Sequence, residues 1–84
     1  TQNITAAVIK VYGLVQGVGF RPFLHRIAAD FSIRGWALNA NDSVRIHAEG
    51  TASSVERFCR SIQSESPPLA HVERIDVRGT APEG

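Results

Sequence analysis

Residues 13–21 read Gly13-Leu14-Val15-Gln16-Gly17-Val18-Gly19-Phe20-Arg21, and they separate a strand-like pattern from a helix-like pattern. Residues 6–12, before this loop, are rich in β-branched and aromatic side chains, which are typical of a strand. After the loop, apolar residues recur with helical spacing up to position 31, and Pro22 favours a helix start. We therefore expect the loop to connect a first strand to a first helix, with Gly35 as the helix stop signal.

A hairpin is predicted in the middle of the chain, because the turn formers of residues 39–43 separate two strand-like runs, 35–38 and 44–49. Within residues 44–49 apolar and polar side chains alternate, so we expect one buried face and one solvated face. Trp36 and the four phenylalanines are expected to fill the core. The hairpin therefore contributes one apolar face to a sheet.

A second helix and a fourth strand complete the chain. The helix has apolar residues at positions 55, 58, 59 and 62, and either Thr51 or Ser53 can cap its N-terminus. The last strand carries Val72, then Ile75 and Val77, and this change of phase predicts a β-bulge. The order of elements is then β-α-β-β-α-β.

That order predicts an α+β fold in which a four-stranded antiparallel sheet carries both helices on one face, the ferredoxin-like arrangement. The 84 residues allow one domain, with an expected ordered core over about residues 5–79 and a linker-like tail over residues 80–84. This architecture hosts RNA-binding modules, metal carriers and enzymes, so the function has to be argued from the site itself.

Composition narrows the classes of partner. The net charge is only +1, so no long-range field attracts nucleic acid or an anionic membrane, and we predict neither as a partner. The one cysteine, Cys59, excludes an intramolecular disulfide and a cysteine-cluster metal site, and its place on the apolar helix stripe predicts a buried structural thiol. With no apolar run of membrane-spanning length and no signal peptide, the expected location is the cytoplasm.

The sequence lacks the features that the other functions of this architecture require. RNA-recognition modules stack bases on aromatic side chains of the central strands, and residues 44–49 contain none. Metal carriers of this fold need a C-x-x-C loop, and His25, His47 and His71 show no metal-ligand spacing, so we expect them to be surface residues. The sequence therefore predicts no metal and no cofactor.

The loop over residues 13–21 has the composition of an anion site. Its glycines allow a close approach of the backbone, and successive N–H groups that lead into a helix N-terminus attract an anion. The guanidinium of Arg21 could bind two phosphate oxygens, and because Pro22 follows it we expect Arg21 to be extended at the start of the helix. Spacing alone fits a small phosphate compound and fits a plain strand-to-helix connection equally well.

Two segments resemble signatures of the acylphosphatase family. Residues 13–21 match its first signature, G-x-V-Q-G-V-x-F-R, and Gly35-Trp36-Ala37-Leu38-Asn39 matches its second, G-W-x-x-N. The resemblance covers essentially the whole chain. Gly19-Phe20-Arg21-Pro22-Phe23 and Pro67-Pro68-Leu69-Ala70 are most similar to the N-terminal acylphosphatase-like domain of the hydrogenase-maturation carbamoyltransferases, HypF. The linker-like tail agrees with a domain of such a larger protein.

The resemblance implies an enzyme that hydrolyses the carboxyl–phosphate bond of acyl phosphates, without a metal. Within a HypF-like protein it implies carbamoyl phosphate as the substrate, for maturation of nickel–iron hydrogenase, and further domains of the same polypeptide as partners. Inorganic phosphate is implied as a product or inhibitor. The alternative is a non-catalytic interaction domain, or one that only binds phosphate or carbamoyl phosphate. Both readings need the phosphate loop and Arg21.

The resemblance also implies roles for individual residues. The implied phosphate-binding groups are the backbone N–H groups of the loop together with the Arg21 side chain, and Asn39 is implied to orient the attacking water. An asparagine amide has no proton to take at neutral pH, so Asn39 cannot be a general base. The implied phosphate-binding residues are Gly17, Val18, Gly19, Phe20 and Arg21, and the implied catalytic residues are Arg21 and Asn39.

The hairpin departs from the family pattern at Ser43, where the family has a glycine that closes the turn. A serine raises the energy of a left-handed conformation at that position by about 1 kcal/mol. We therefore expect a shifted turn, with Asn41 or Asp42 in the left-handed conformation and Asn39 unaffected.

Overall fold

The computed structural model describes residues 4–15 and 19–82 of the chain. The four strands form one antiparallel sheet in the order β2-β3-β1-β4. The predicted α+β fold and its β-α-β-β-α-β order are confirmed. In chain order the elements are β1 (Thr5–Leu14), α1 (Phe20–Asp30), β2 (Arg34–Asn39), β3 (Ser43–Gly50), α2 (Ala52–Ser64) and β4 (His71–Thr80).

The core lies between one face of the sheet and the two helices. Alternate residues of a strand point to the same face, and the alternate residues Ile9 and Val11 of β1 join Val44 and Ile46 of β3 in one buried cluster with both helices. Burying each large side chain of this cluster stabilises the fold by about 1.5–3 kcal/mol. We call the helix-covered side of the sheet the inner face and the opposite side the outer face.

The two helices begin in different ways. Thr51 caps α2, because its hydroxyl accepts a hydrogen bond of 3.1 Å from the backbone N–H of Ser54. Gly19 is the N-cap residue of α1, in the left-handed conformation with φ 78°, and as a glycine it has no side chain that could cap the helix. The prediction of Thr51 as one of two possible caps is confirmed for α2, whereas the N-cap residue of α1 offers no capping side chain.

The end of α1 differs from the prediction. Ser32, with φ 56°, is the left-handed residue after the helix, and the N–H of Ile33 donates to the carbonyl of Ala28 at 2.8 Å. The N–H of Ser32 donates to Ala29, which completes a Schellman motif. Gly35 lies inside β2 and is not the stop signal that we expected.

The predicted bulge in β4 is confirmed. The register between β1 and β4 shifts between Tyr12 and Gly13, so that Glu73 has no partner across the strands. Gly13 has φ 127°, and a Cβ atom there would overlap the carbonyl oxygen of His71, so the bulge requires glycine. At its other end β4 includes Thr80, which pairs with β1 and extends the strand into the segment expected as a tail.

The outer face of β3 is less solvated than expected. His47 is 3% exposed and Glu49 is 8% exposed, and His47 Nε2 lies 2.7 Å from Glu49 Oε2. Trp36 lies directly opposite His47 in the register of β2 and β3, and its ring stacks on the imidazole with centroids 5.5 Å apart. The expectations of a surface His47 and a core Trp36 are therefore wrong, since Trp36 lies on the outer face and covers the histidine.

The hairpin between β2 and β3 also differs from the expectation. None of Asn41, Asp42 and Ser43, all within the described part of the chain, has a positive φ. The hairpin closes instead through the backbone N–H of Ala40, which donates to the carbonyl of Ser43 at 2.8 Å. Ser43 is buried, and no left-handed residue is needed in this turn.

Candidate active site

Arg21 is the second residue of α1, and its side chain is exposed. The expectation that Arg21 is extended is wrong, because the helix already begins at Phe20. Pro22 is tolerated as the third helical residue, since backbone N–H groups in the first turn have no carbonyl partner within the helix. Helical geometry therefore holds Arg21 beside the free N–H groups of the helix N-terminus.

The N-terminus of α1 presents a concentrated positive potential. Its N-cap residue is a glycine and its first turn has no acidic residue, so within the described residues neither a capping oxygen nor a carboxylate of the first turn offsets the helix dipole. Arg21 forms no ion pair with any residue among 4–15 and 19–82. Of the predicted phosphate-binding residues, Gly19, Phe20 and Arg21 lie at this N-terminus, whereas Gly17 and Val18 lie outside the described residues.

Asn39 is the last residue of β2, and its side chain is exposed. It lies opposite Val44, which in turn lies opposite Val11 near the end of β1. Two strand spacings separate Asn39 from Val11, which is about 10 Å. Asn39 therefore lies at the end of the sheet where the chain leaves β1 for α1.

Asn39 is also on the correct face of the sheet to meet the helix. Its partner Val44 belongs to the buried core beneath the helices, and directly opposite residues share a face. The fold thus brings Asn39 and the N-terminus of α1 to one end and one face of the sheet. Asn39 and the N-terminus of α1 are far apart in the sequence, so their arrangement depends on the strand register.

Gly35 fixes that register. It has φ 145°, and a Cβ atom at this position would overlap the carbonyl oxygen of His47 on β3. Only glycine therefore allows β2 and β3 to approach as closely as they do here. The glycine of the second signature consequently has a structural explanation, since it sets the pairing that places Asn39 opposite Val44.

A cleft of about 500 Å³ lies beside the N-terminus of α1. Gly19, Phe23 and Arg26 line it from one side, and residues 65–68 after α2 line it from the other. The Arg26 guanidinium lies 5.5 Å from the centroid of the Phe23 ring, a cation–π distance. The cleft therefore combines an apolar wall with a second cation, Arg26, and a carboxylate, Glu65, next to the candidate phosphate site.

Cysteine and metal chemistry have little support among the described residues. The pKa of the Cys59 thiol is raised, mainly by burial and also by the nearby negative charge of Glu56. A raised pKa leaves less thiolate at neutral pH, and the thiolate is the nucleophile. Within residues 4–15 and 19–82, no group of three or more histidine, cysteine, aspartate or glutamate side chains could hold a metal ion.

We expect Cys59 to react about tenfold more slowly with iodoacetamide at pH 8 than it does in the urea-unfolded chain, because partial burial and the raised pKa both reduce attack. Mass spectrometry of timed samples measures the two rates. Equal rates in the folded and unfolded chains would show that the fold does not protect this thiol.

Among the described residues, no helix of the structure has the length and apolar character needed to cross a membrane.

Comparisons with known proteins agree on one family. The family model described as Acylphosphatase matches residues 7–84. An acylphosphatase of Thermotoga petrophila is 44% identical over 80 residues, which are 94% of this chain and 88% of that protein. The probable carbamoyltransferase HypF of Methanocaldococcus jannaschii is 39% identical over 69 residues, which are 82% of this chain but only 9% of that protein.

The comparison of solved structures gives the same result. A crystal structure of full-length HypF, in its phosphate- and nucleotide-bound form, superposes with a TM-score of 0.95 and 35% identity. The match covers 99% of this chain and 11% of the HypF chain. The chain thus spans most of the length of the Thermotoga relative and about a tenth of the HypF proteins it matches.

Proposed function

Because the chain belongs to the acylphosphatase family of hydrolases, we propose that it hydrolyses the carboxyl–phosphate bond of acyl phosphates, with Arg21 and Asn39 as its catalytic residues. One observation carries the residue assignment. The sheet register brings Asn39 to the same end and the same face as the N-terminus of α1, where Arg21 lies.

The phosphoryl group of the substrate binds at the N-terminus of α1. Backbone N–H groups from Gly17 to Arg21 donate hydrogen bonds to its oxygens, and the Arg21 guanidinium donates two more. Phosphoryl transfer asks a protein mainly for positioning and charge stabilisation, and this N-terminus offers both without a metal. The absence of an acidic side chain in the first turn of α1 supports the same role.

Asn39 holds the attacking water through hydrogen bonds of its side-chain amide. The water oxygen forms a bond to phosphorus while the bond from phosphorus to the acyl oxygen breaks, which releases inorganic phosphate and a carboxylate. A carboxylate is a weak base, since its conjugate acid has a pKa of about 4, so its departure needs no general acid. Asn39 cannot take the water proton, and a phosphate oxygen of the substrate accepts it.

The acyl group of the substrate extends toward the cleft of about 500 Å³ beside Gly19. Its apolar wall at Phe23 and its cation at Arg26 suit acyl groups of several kinds, including the small carbamoyl group. Within a longer HypF-like protein, carbamoyl phosphate is the proposed substrate, and the other domains of that polypeptide are the proposed partners. A single cysteine fits the reducing cytoplasm as the proposed location.

The proposal is tested with acetyl phosphate and carbamoyl phosphate as substrates. We expect the unmodified chain to hydrolyse both, and Asn39→Ala to lose about 100-fold in kcat while it keeps its affinity for inorganic phosphate, because water orientation acts on the chemical step. Release of phosphate measures turnover, and calorimetric titration measures phosphate binding.

The matched control is Asn41→Ala, an exposed asparagine two residues further along in the hairpin. It should retain the activity of the unmodified chain. If Asn39→Ala and Asn41→Ala are equally active, the role of Asn39 is wrong. If the unmodified chain binds phosphate but hydrolyses neither substrate, the alternative of a phosphate-binding domain without activity is correct.

A further inference from the structure

The outer face of the sheet places two like charges directly opposite each other. Lys10 of β1 lies opposite Arg45 of β3, and both side chains point away from the helices, because their neighbours Ile9 and Val44 are in the core. Like charges in this position destabilise a sheet. The other cross-strand neighbour of Lys10 is Asp76, but an oxygen of its carboxylate lies 3.4 Å from a guanidinium nitrogen of Arg74.

A third cation joins this pair. Arg78 of β4 lies on the same outer face, two residues from Asp76. Lys10, Arg45 and Arg78 are exposed, and within the described part of the chain none of the three forms an ion pair. A cavity of about 430 Å³ is lined by all three cations, together with Asp76 and the apolar residues Val8, Ile75 and Val77. Three cations therefore converge on one cavity that contains a single carboxylate, already shared with Arg74.

The size and charge of this cavity define the class of ligand. Its volume is in the range of small-molecule sites, and ammonium and guanidinium groups together favour phosphate oxygens. On this face each of two aromatic rings already uses one ring face in a contact within the protein, because the Arg74 guanidinium lies 4.2 Å from the Tyr12 ring centroid and Trp36 stacks on His47. The surface therefore favours a compact anion over a single-stranded nucleic acid.

We propose that the outer face of the sheet binds a compact polyanion of the inorganic diphosphate or triphosphate class between Lys10, Arg45 and Arg78. This site is separate from the N-terminus of α1, because the helices cover the opposite face of the sheet. Binding also neutralises the repulsion between Lys10 and Arg45. Binding of the polyanion should therefore also stabilise the folded chain.

Calorimetric titration with sodium tripolyphosphate tests the site, at constant ionic strength and in an Arg21→Ala chain, so that the α1 site contributes little. We expect one tripolyphosphate to bind, and Arg45→Gln or Arg78→Gln in the same chain to weaken it about tenfold each, because each removes a charge-assisted contact. Arg57→Gln is the matched control, since Arg57 is an exposed arginine of α2 on the helix side of the molecule.

Thermal unfolding provides an independent readout. Tripolyphosphate at one fixed concentration should raise the melting temperature of the Arg21→Ala chain and of its Arg57→Gln derivative equally, and that of the Arg45→Gln derivative by clearly less. The proposal is wrong if tripolyphosphate does not bind, or if Arg45→Gln and Arg57→Gln bind it equally. In an otherwise unmodified chain Arg45→Gln should hydrolyse acetyl phosphate normally, so a failure of this site is distinguishable from a failure of the proposed activity.

Discussion

Replacing Arg21 with alanine should reduce kcat/KM for acetyl phosphate by about 100-fold to 1,000-fold and remove measurable binding of inorganic phosphate. The reason is that Arg21 is the one arginine held in the first turn of α1, beside N–H groups that the N-cap residue Gly19 cannot cap with a side chain. Loss of its guanidinium weakens substrate binding and also removes a group that stabilises the charge that develops in the transition state. Phosphate release and calorimetric titration measure the two effects.

The control for this change is Arg57→Ala, which removes an exposed arginine from α2. It should leave both turnover and phosphate binding unchanged. Because Arg21 is exposed and outside the core, Arg21→Ala should unfold at nearly the same urea concentration as the unmodified chain. Undiminished hydrolysis by a folded Arg21→Ala chain would remove the α1 N-terminus as the site of phosphate binding.

Replacing Gly35 with alanine should lower the free energy of unfolding by about 3 kcal/mol or more. Gly35 has φ 145°, and the added Cβ atom would overlap the backbone carbonyl of His47, which is part of a strand and cannot rotate away. Relief of the overlap requires β2 to move from β3. That movement displaces Asn39, so turnover should fall as well, even at temperatures where the chain stays folded. Urea unfolding followed by circular dichroism measures the stability.

Gly79→Ala is the matched control for this prediction. Gly79 also lies in an edge strand, but a Cβ atom there would meet nothing within 4 Å. We expect its unfolding midpoint to stay close to that of the unmodified chain. Equal stability of the Gly35→Ala and Gly79→Ala chains would show that β2 tolerates a side chain at position 35.

The architecture was predictable because each element has a strong local pattern. The apolar spacing after Phe20 predicts α1, the phase change between Val72 and Ile75 predicts the bulge in β4, and Thr51 precedes α2 with an N-cap side chain. The two family signatures directed attention to Arg21 and Asn39. Their placement at one end of the sheet agrees with the β-α-β-β-α-β order, since Asn39 ends β2 and Arg21 lies in the first turn of the helix that follows β1.

Features that depend on the strand register, or on competition between local backbone preferences, were not predictable. The burial of His47 depends on Trp36 lying directly across from it, and a polar residue in an alternating strand gives no sign of such a partner. The helical conformation of Arg21 depends on the balance between the preference of a residue before proline and the start of the helix at Phe20. Ser32 ends α1 because two backbone hydrogen bonds stabilise a left-handed serine.

The missing cap of α1 has a consequence for the coupling of folding and catalysis. A threonine at the N-cap, such as Thr51 of α2, stabilises a helix by roughly a few tenths of a kcal/mol more than a glycine does, and α1 lacks that contribution because its N-cap residue is Gly19. In the proposed function the phosphoryl group takes the place of the absent side chain, so substrate is the N-cap of α1. The helix is then complete only in the occupied enzyme, and the stability given up in the empty state becomes binding energy for phosphate.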